Sequence, residues 1–171
     1  MNSTTPQPSK GTDPEGDVAA ISNGPRESLV DWLERFRCEM GGRTAGVWKL
    51  QGIHLVNLGH SFAPDVDEVV SSAFRLQTAV VRLSRWDLAI VAAVIAKDTV
   101  SATVTGPLEG SGQWLERLGA ERSFATAILG ERTILGVLGI SFTDDVRDDH
   151  KMREQLERWA GEGIRHITSP A

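Results

Sequence analysis

The stretch Ser123–Phe142, SFATAILGERTILGVLGISF, leaves its backbone fewer choices than any other part of the chain. Two apolar runs, Phe124–Leu129 and Ile134–Phe142, flank the polar break Gly130-Glu131-Arg132-Thr133, where a glycine can take the angles a short hairpin loop needs. Gly136 and Gly139, set among Ile134, Val137 and Ile140, weigh against a helix, because glycine and β-branched residues both disfavour helix interiors. Alternation places Ile134, Gly136, Leu138, Ile140 and Phe142 on one face of the second strand and Leu135, Val137, Gly139 and Ser141 on the other. Neither face is polar, so the strand is expected to be covered on both. Its glycines mark places where a helix, a ligand or another backbone comes close.

The flanking segments supply the covering layers. Leu29, Trp32, Leu33, Phe36 and Met40 recur at spacings of three and four, which predicts an amphipathic helix over Ser28–Met40, opened near Pro25 and stopped by Gly41-Gly42. Thr44–Leu50 and Ile53–Gly59, joined by Gln51-Gly52, read as a second hairpin. Ala63-Pro64-Asp65 is expected to open a helix with Val66, Val69, Val70, Ala73 and Phe74 buried, and Thr78–Leu83 either continues it or becomes extended. Ser84-Arg85-Trp86-Asp87 has the spacing of a capping box ahead of the apolar helix Leu88–Ala96. Thr99–Thr105 alternates as a strand, Gly106–Gly112 reads as a loop, and Ser111 is placed to cap a short helix to Leu118. The helix that follows Asp148 carries Met152, Leu156, Trp159, Gly163, Ile164 and Ile167 on one face, with its last turn weakened by Gly161 and Gly163. Without repeated βαβ units this order predicts an α+β domain over residues 25–168, with a mainly antiparallel sheet of about five strands. The terminal helices cover one face and the middle segments the other. Residues 1–24, rich in Ser, Thr, Pro, Gly and Asp, have little to bury and are expected to form a disordered tail.

Several function classes are excluded on composition. A formal charge of −5 and the lack of any basic run leave no footprint for nucleic acid. The longest apolar run, Leu88–Ala96, is far short of the roughly 20 residues of a spanning helix, and the N-terminus lacks a secretory pattern, so the expected compartment is the cytoplasm. Cys38 is the single cysteine, beside the acidic Glu34 and Glu39, and with no partner cysteine it reads as structural or idle. His54, His60, His150 and His166 show no metal-site spacing, so no metal or other cofactor is expected. The Gly106–Gly112 loop lacks the Lys-Ser/Thr ending of a phosphate-binding loop, and Asp144, Asp145, Asp148 and Asp149 read as helix-start charge. No catalytic constellation emerges, and the chain is expected not to be an enzyme.

The segment Trp114–Ser123 together with FATAILGERTILGVLGISF and a closing helix resembles the end of a GAF domain: a short helix, a step through Gly119 to Ser123, a tight turn at Gly130–Thr133 and the strand Gly136-Val137-Leu138. The resemblance spans about residues 26–168. It implies a small-molecule-sensing or partner-binding module, with a pocket between the sheet and the middle segments. The Asn-Lys pair of cyclic-nucleotide-binding members is missing, and Cys38 stands in the wrong helix to attach a bilin. The free methionine sulfoxide reductases of this fold use several cysteines, and this chain has one.

The resulting expectation is a stand-alone GAF-like regulatory domain, non-catalytic, that binds an unidentified small molecule or a signalling partner. The alternatives are a ligand-free dimerisation or docking module and, further off, a reductase-like enzyme. Candidate ligand contacts are Arg82 for an anionic group, Trp86 for stacking, the hydroxyls of Thr103 and Thr105, and His60, which follows a predicted strand. A homodimer is expected through the helices Ser28–Met40 and Asp148–Ile167, should their apolar stripes leave edges uncovered.

Overall fold

The computed structural model describes Met1, residues 26–145 and residues 148–169; the expected tail beyond Met1, and Pro25, lie outside the described residues. Helix α1 (Leu29–Met40) begins where the Ser28 side chain accepts from the Asp31 amide and ends at Gly41, whose φ of 67° turns the chain out of the helix. Strands β1 (Thr44–Gln51) and β2 (His54–Phe62) form the first hairpin, turning at Gly52 with φ 60°. Helix α2 (Glu68–Gln77), strand β3 (Val80–Arg82), helix α3 (Ala89–Ala96), strand β4 (Thr99–Thr103) and helix α4 (Glu109–Leu118) follow. The second hairpin, β5 (Arg122–Leu129) and β6 (Ile134–Phe142), precedes the long helix α5 (Asp149–Thr168).

The six strands lie in the order β3-β2-β1-β6-β5-β4, every neighbouring pair antiparallel. The two hairpins meet at β1 and β6, with Thr44 opposite Ser141 and Gly46 opposite Gly139. The α+β class and the antiparallel sheet match the sequence reading; the sixth strand is β3, the extended alternative for Thr78–Leu83.

Both faces of the sheet are covered, as the two-sided apolar pattern of β6 requires. Helix α1 packs on β1 and β2, and α5 on β5 and β6, around Trp32, Leu33, Phe36, Leu138, Leu156 and Trp159. Gly163 does not fray α5. It lets Trp32 lie against the helix, since a Cβ there would come 2.9 Å from Trp32 Cη2. The apolar stripes of α1 and α5 are taken up by this core, and their outward faces carry Val30 with Glu34, Glu39, Glu154, Glu157 and Arg158. Helices α3 and α4 cover the opposite face around Trp48, Leu55, Val91, Leu115 and Val137.

Three local expectations are corrected. Helix α2 starts three residues after Asp65, capped by the Asp67 carboxylate on the amides of Val69 and Val70, and none of its residues is fully buried. Ser84 does not cap α3: Asp87 pairs with Arg85 instead, and the Ala89 amide donates to Ser111 Oγ, reaching over from α4. Ser111 therefore lies inside α4, which begins at Glu109 within the segment expected to be a loop.

Candidate functional site

The face of the sheet beneath α3 and α4 is organised in rows, because residues directly opposite in antiparallel strands share a face. One row is Thr44, Ser141 and Ser123, on β1, β6 and β5. The next is Gly46, Gly139 and Ala125, and the third begins with Trp48 and Val137. The middle row is nearly free of side chains and forms a trough between a hydroxyl row and an aromatic wall. Trp48 leans over it, so that a Cβ on Gly46 would fall 2.6 Å from Trp48 Cη2 and one on Gly139 would fall 3.5 Å from Cζ3.

A cavity of about 80 Å³ occupies what Trp48 leaves open. Its roof is Leu88, Ala89 and Ile90 of the α3 start with Ser111, Trp114, Leu115 and Leu118 of α4, and Phe74 and Thr78 close the side toward α2. Phe74 and Trp114 meet edge to face at 5.0 Å. None of the residues lining the cavity is charged. Thr44 Oγ1 and Ser141 Oγ are 2.6 Å apart and both buried, which is one hydrogen bond between two hydroxyls. Among the described residues, no three of His, Cys, Asp and Glu converge to hold a metal, and no helix is long and apolar enough to cross a membrane.

No family model matches the sequence, and no curated protein matches it. Solved structures do. A type II free methionine-R-sulfoxide reductase from Thermoplasma acidophilum aligns at 12% identity over 79% of this chain and 86% of that one, with a TM-score of 0.60. A GAF domain/HD domain protein from Geobacter sulfurreducens aligns at 12% identity over 79% and 88%, with a TM-score of 0.58. The GAF domain of a two-component sensor histidine kinase from Bacillus halodurans aligns at 11% identity over 84% of this chain and 99% of that one, with a TM-score of 0.56. The fold is that of a GAF domain.

On this GAF fold the residues singled out in the sequence are dispersed. Arg82 lies exposed on β3, at one edge of the sheet, and Trp86 is 71% exposed in the turn before α3. Thr103 ends β4 at the opposite edge, and Thr105 lies exposed beyond it. None of the four lines the cavity. The physical reason is the strand order, which puts the whole width of the sheet between β3 and β4.

His60 comes nearer. It lies within β2 rather than after it, opposite Gly46 and backed against the cavity wall, with ring centroids of Trp48 at 5.3 Å, Phe62 at 5.6 Å and Phe74 at 5.2 Å. Its Nε2 is 3.3 Å from both Thr78 Oγ1 and Asn57 Nδ2, and Thr78 Oγ1 donates to the Phe74 carbonyl. Burial lowers its pKa to about 4, with the Arg75 charge adding to the effect, so the ring is neutral at pH 7.

The residues that do line the GAF cavity were carried by a weaker signal. Thr44-Ala45-Gly46, Ser123-Phe124-Ala125 and Gly139-Ile140-Ser141 each hold a hydroxyl residue two positions from a glycine or alanine, on one strand face. Only the register brings the three pairs side by side.

Proposed function

We propose that this chain is a sensory or regulatory GAF domain that binds a small molecule between the sheet and helices α3 and α4, and that it does so without catalysis. The trough of Gly46, Gly139 and Ala125 under a roof of helix side chains carries the reading, because side-chain-free floor is what admits a foreign group against a sheet. The non-catalytic part is supported by the position of Cys38. It is exposed on α1, on the side of the sheet away from the cavity, and its sulfur faces Glu34 Oε1 at 3.5 Å. A thiol so placed does not reach a substrate bound in the cavity.

Amide NMR of isotope-labelled protein against a library of small fragments tests this. Shifts centred on Gly46, Gly139 and Ala125 are expected; a library that perturbs only other surfaces overturns the reading. One observation favours the docking alternative, namely that Trp48 already fills most of the trough. Under that reading the domain acts through its surface, including pairing through the charged outer faces of α1 and α5. Sedimentation equilibrium at micromolar concentration reads this directly, since a mass of 18.6 kDa throughout leaves no self-association.

A further inference from the structure

We infer that the cavity selects an uncharged molecule of a few heavy atoms, with an apolar body and one hydrogen-bonding oxygen, such as a short alcohol, ketone or primary amide, and that Thr44, Ser141 and Ser123 receive that oxygen. The inference rests on the small-molecule reading above and adds the chemistry of the ligand.

Charge is excluded by the lining. No charged side chain faces the cavity, so an ion entering it would exchange its hydration for apolar walls and hydroxyl dipoles, with no opposite charge to compensate. Trp48 cannot help with a polar group, because its indole N–H already donates to the Thr78 carbonyl at 2.8 Å and only the ring is offered.

Size comes from the volume. The cavity of about 80 Å³ is roughly half of the ~150 Å³ that accepts the six heavy atoms of benzene, which leaves space for a few heavy atoms.

The polar end is placed by counting hydrogens. Thr44 and Ser141 share one hydrogen bond but own two hydroxyl hydrogens, and among the described residues the second has no further acceptor. The side-chain hydroxyl of Ser123, directly across from Ser141, has no hydrogen-bond partner among the described residues. One buried donor and one free hydroxyl therefore face the same end of an otherwise apolar space. An oxygen that accepts from the pair and meets Ser123 satisfies both, whereas a hydrocarbon satisfies neither.

The experiment is an amide NMR titration of the full chain with 1-butanol, n-pentane, butyrate, butylammonium and xenon. Butanol is expected to shift Ser123, Ser141 and Gly139 and to bind more tightly than pentane, while the two ions leave these amides unmoved. In the variant carrying Thr44→Val and Ser141→Ala, which replaces a bonded pair by apolar groups of similar shape, butanol affinity falls about fivefold to tenfold and pentane affinity does not fall. Circular dichroism first confirms that the double variant is folded. If it is not, Ser123→Ala serves in its place, with a twofold or greater loss expected for butanol alone. Equal affinities for butanol and pentane that survive these substitutions overturn the hydroxyl end while leaving the pocket reading intact, and ions that bind as well as butanol do the same. If no probe, xenon included, perturbs Gly46, Gly139 or Ala125, the pocket reading itself fails.

Discussion

The indole nitrogen of Trp48 donates to the main-chain carbonyl of Thr78 across 2.8 Å, tying the central strand β1 to the residue that ends α2. This bond sets the position of the ring over the glycine trough, and with it the size of the cavity. Trp48→Phe keeps an aromatic ring but leaves the Thr78 carbonyl without its partner. A loss of about 1–3 kcal/mol is expected in urea unfolding, seen as a lower midpoint at unchanged slope. A change below about 0.5 kcal/mol would show that the bond is not what holds the ring.

His60 makes the domain sensitive to acid. Its folded-state pKa of about 4 lies below the ordinary 6.5, so between these values the unfolded chain binds the proton and the folded one does not. Stability from this group is therefore complete above pH 6.5, falls as the pH drops toward 4, and is level below that. The full loss is on the order of 3 kcal/mol. Thermal melts of His60→Gln should lose much of the wild-type dependence between pH 4 and 6.5; an unaltered pH profile would place the titration elsewhere.

Two glycines of α5 should respond in opposite senses. Gly161 has open space around it, and Gly161→Ala is expected to stabilise by about 0.5–1 kcal/mol through helix propensity. Gly163→Ala gains the same propensity but drives a methyl to 2.9 Å from Trp32 Cη2, in the middle of the aromatic core, so a net loss of about 1 kcal/mol or more is expected. Denaturant midpoints of the two variants decide the matter, and a shared direction would contradict the packing.

Helix α2 should open first. None of its residues is fully buried, and Val69 and Leu76 are 77% and 80% exposed, whereas α5 buries Met152, Leu156, Trp159 and Ile167. Hydrogen exchange is expected to be faster along Val69–Gln77 than along Met152–Ile167, with opening free energies that differ by a few kcal/mol. Equal protection would make α2 part of the rigid body rather than the movable side of the cavity.

Much of the fold was legible from local pattern. The amphipathic spacing of Trp32, Phe36, Leu156 and Trp159 and the two-sided apolar pattern of β6 foretold a covered sheet, and Gly41, Gly52 and Gly119 ended elements with positive φ as their positions suggested. Local pattern failed where a distant group changed the outcome. Ser84-Arg85-Trp86-Asp87 had the spacing of a cap, but Ser111 supplied the oxygen from another helix, and Asp87 turned to Arg85.

The candidate site shows the same division at larger scale. The chain alone determined that strands β1, β5 and β6 would each present small and hydroxyl residues on one face, because alternation is a property of a single strand. Which strands stand together, and in what register, depends on pairings between residues as much as 97 positions apart, such as Thr44 with Ser141. That pairing gathers Thr44, Ser141 and Ser123 into one row and Gly46, Gly139 and Ala125 into the next, while it sends Arg82 and Thr103 to opposite edges. A one-residue slip would turn every one of these side chains to the other face, so only the tertiary structure could decide where the cavity lies.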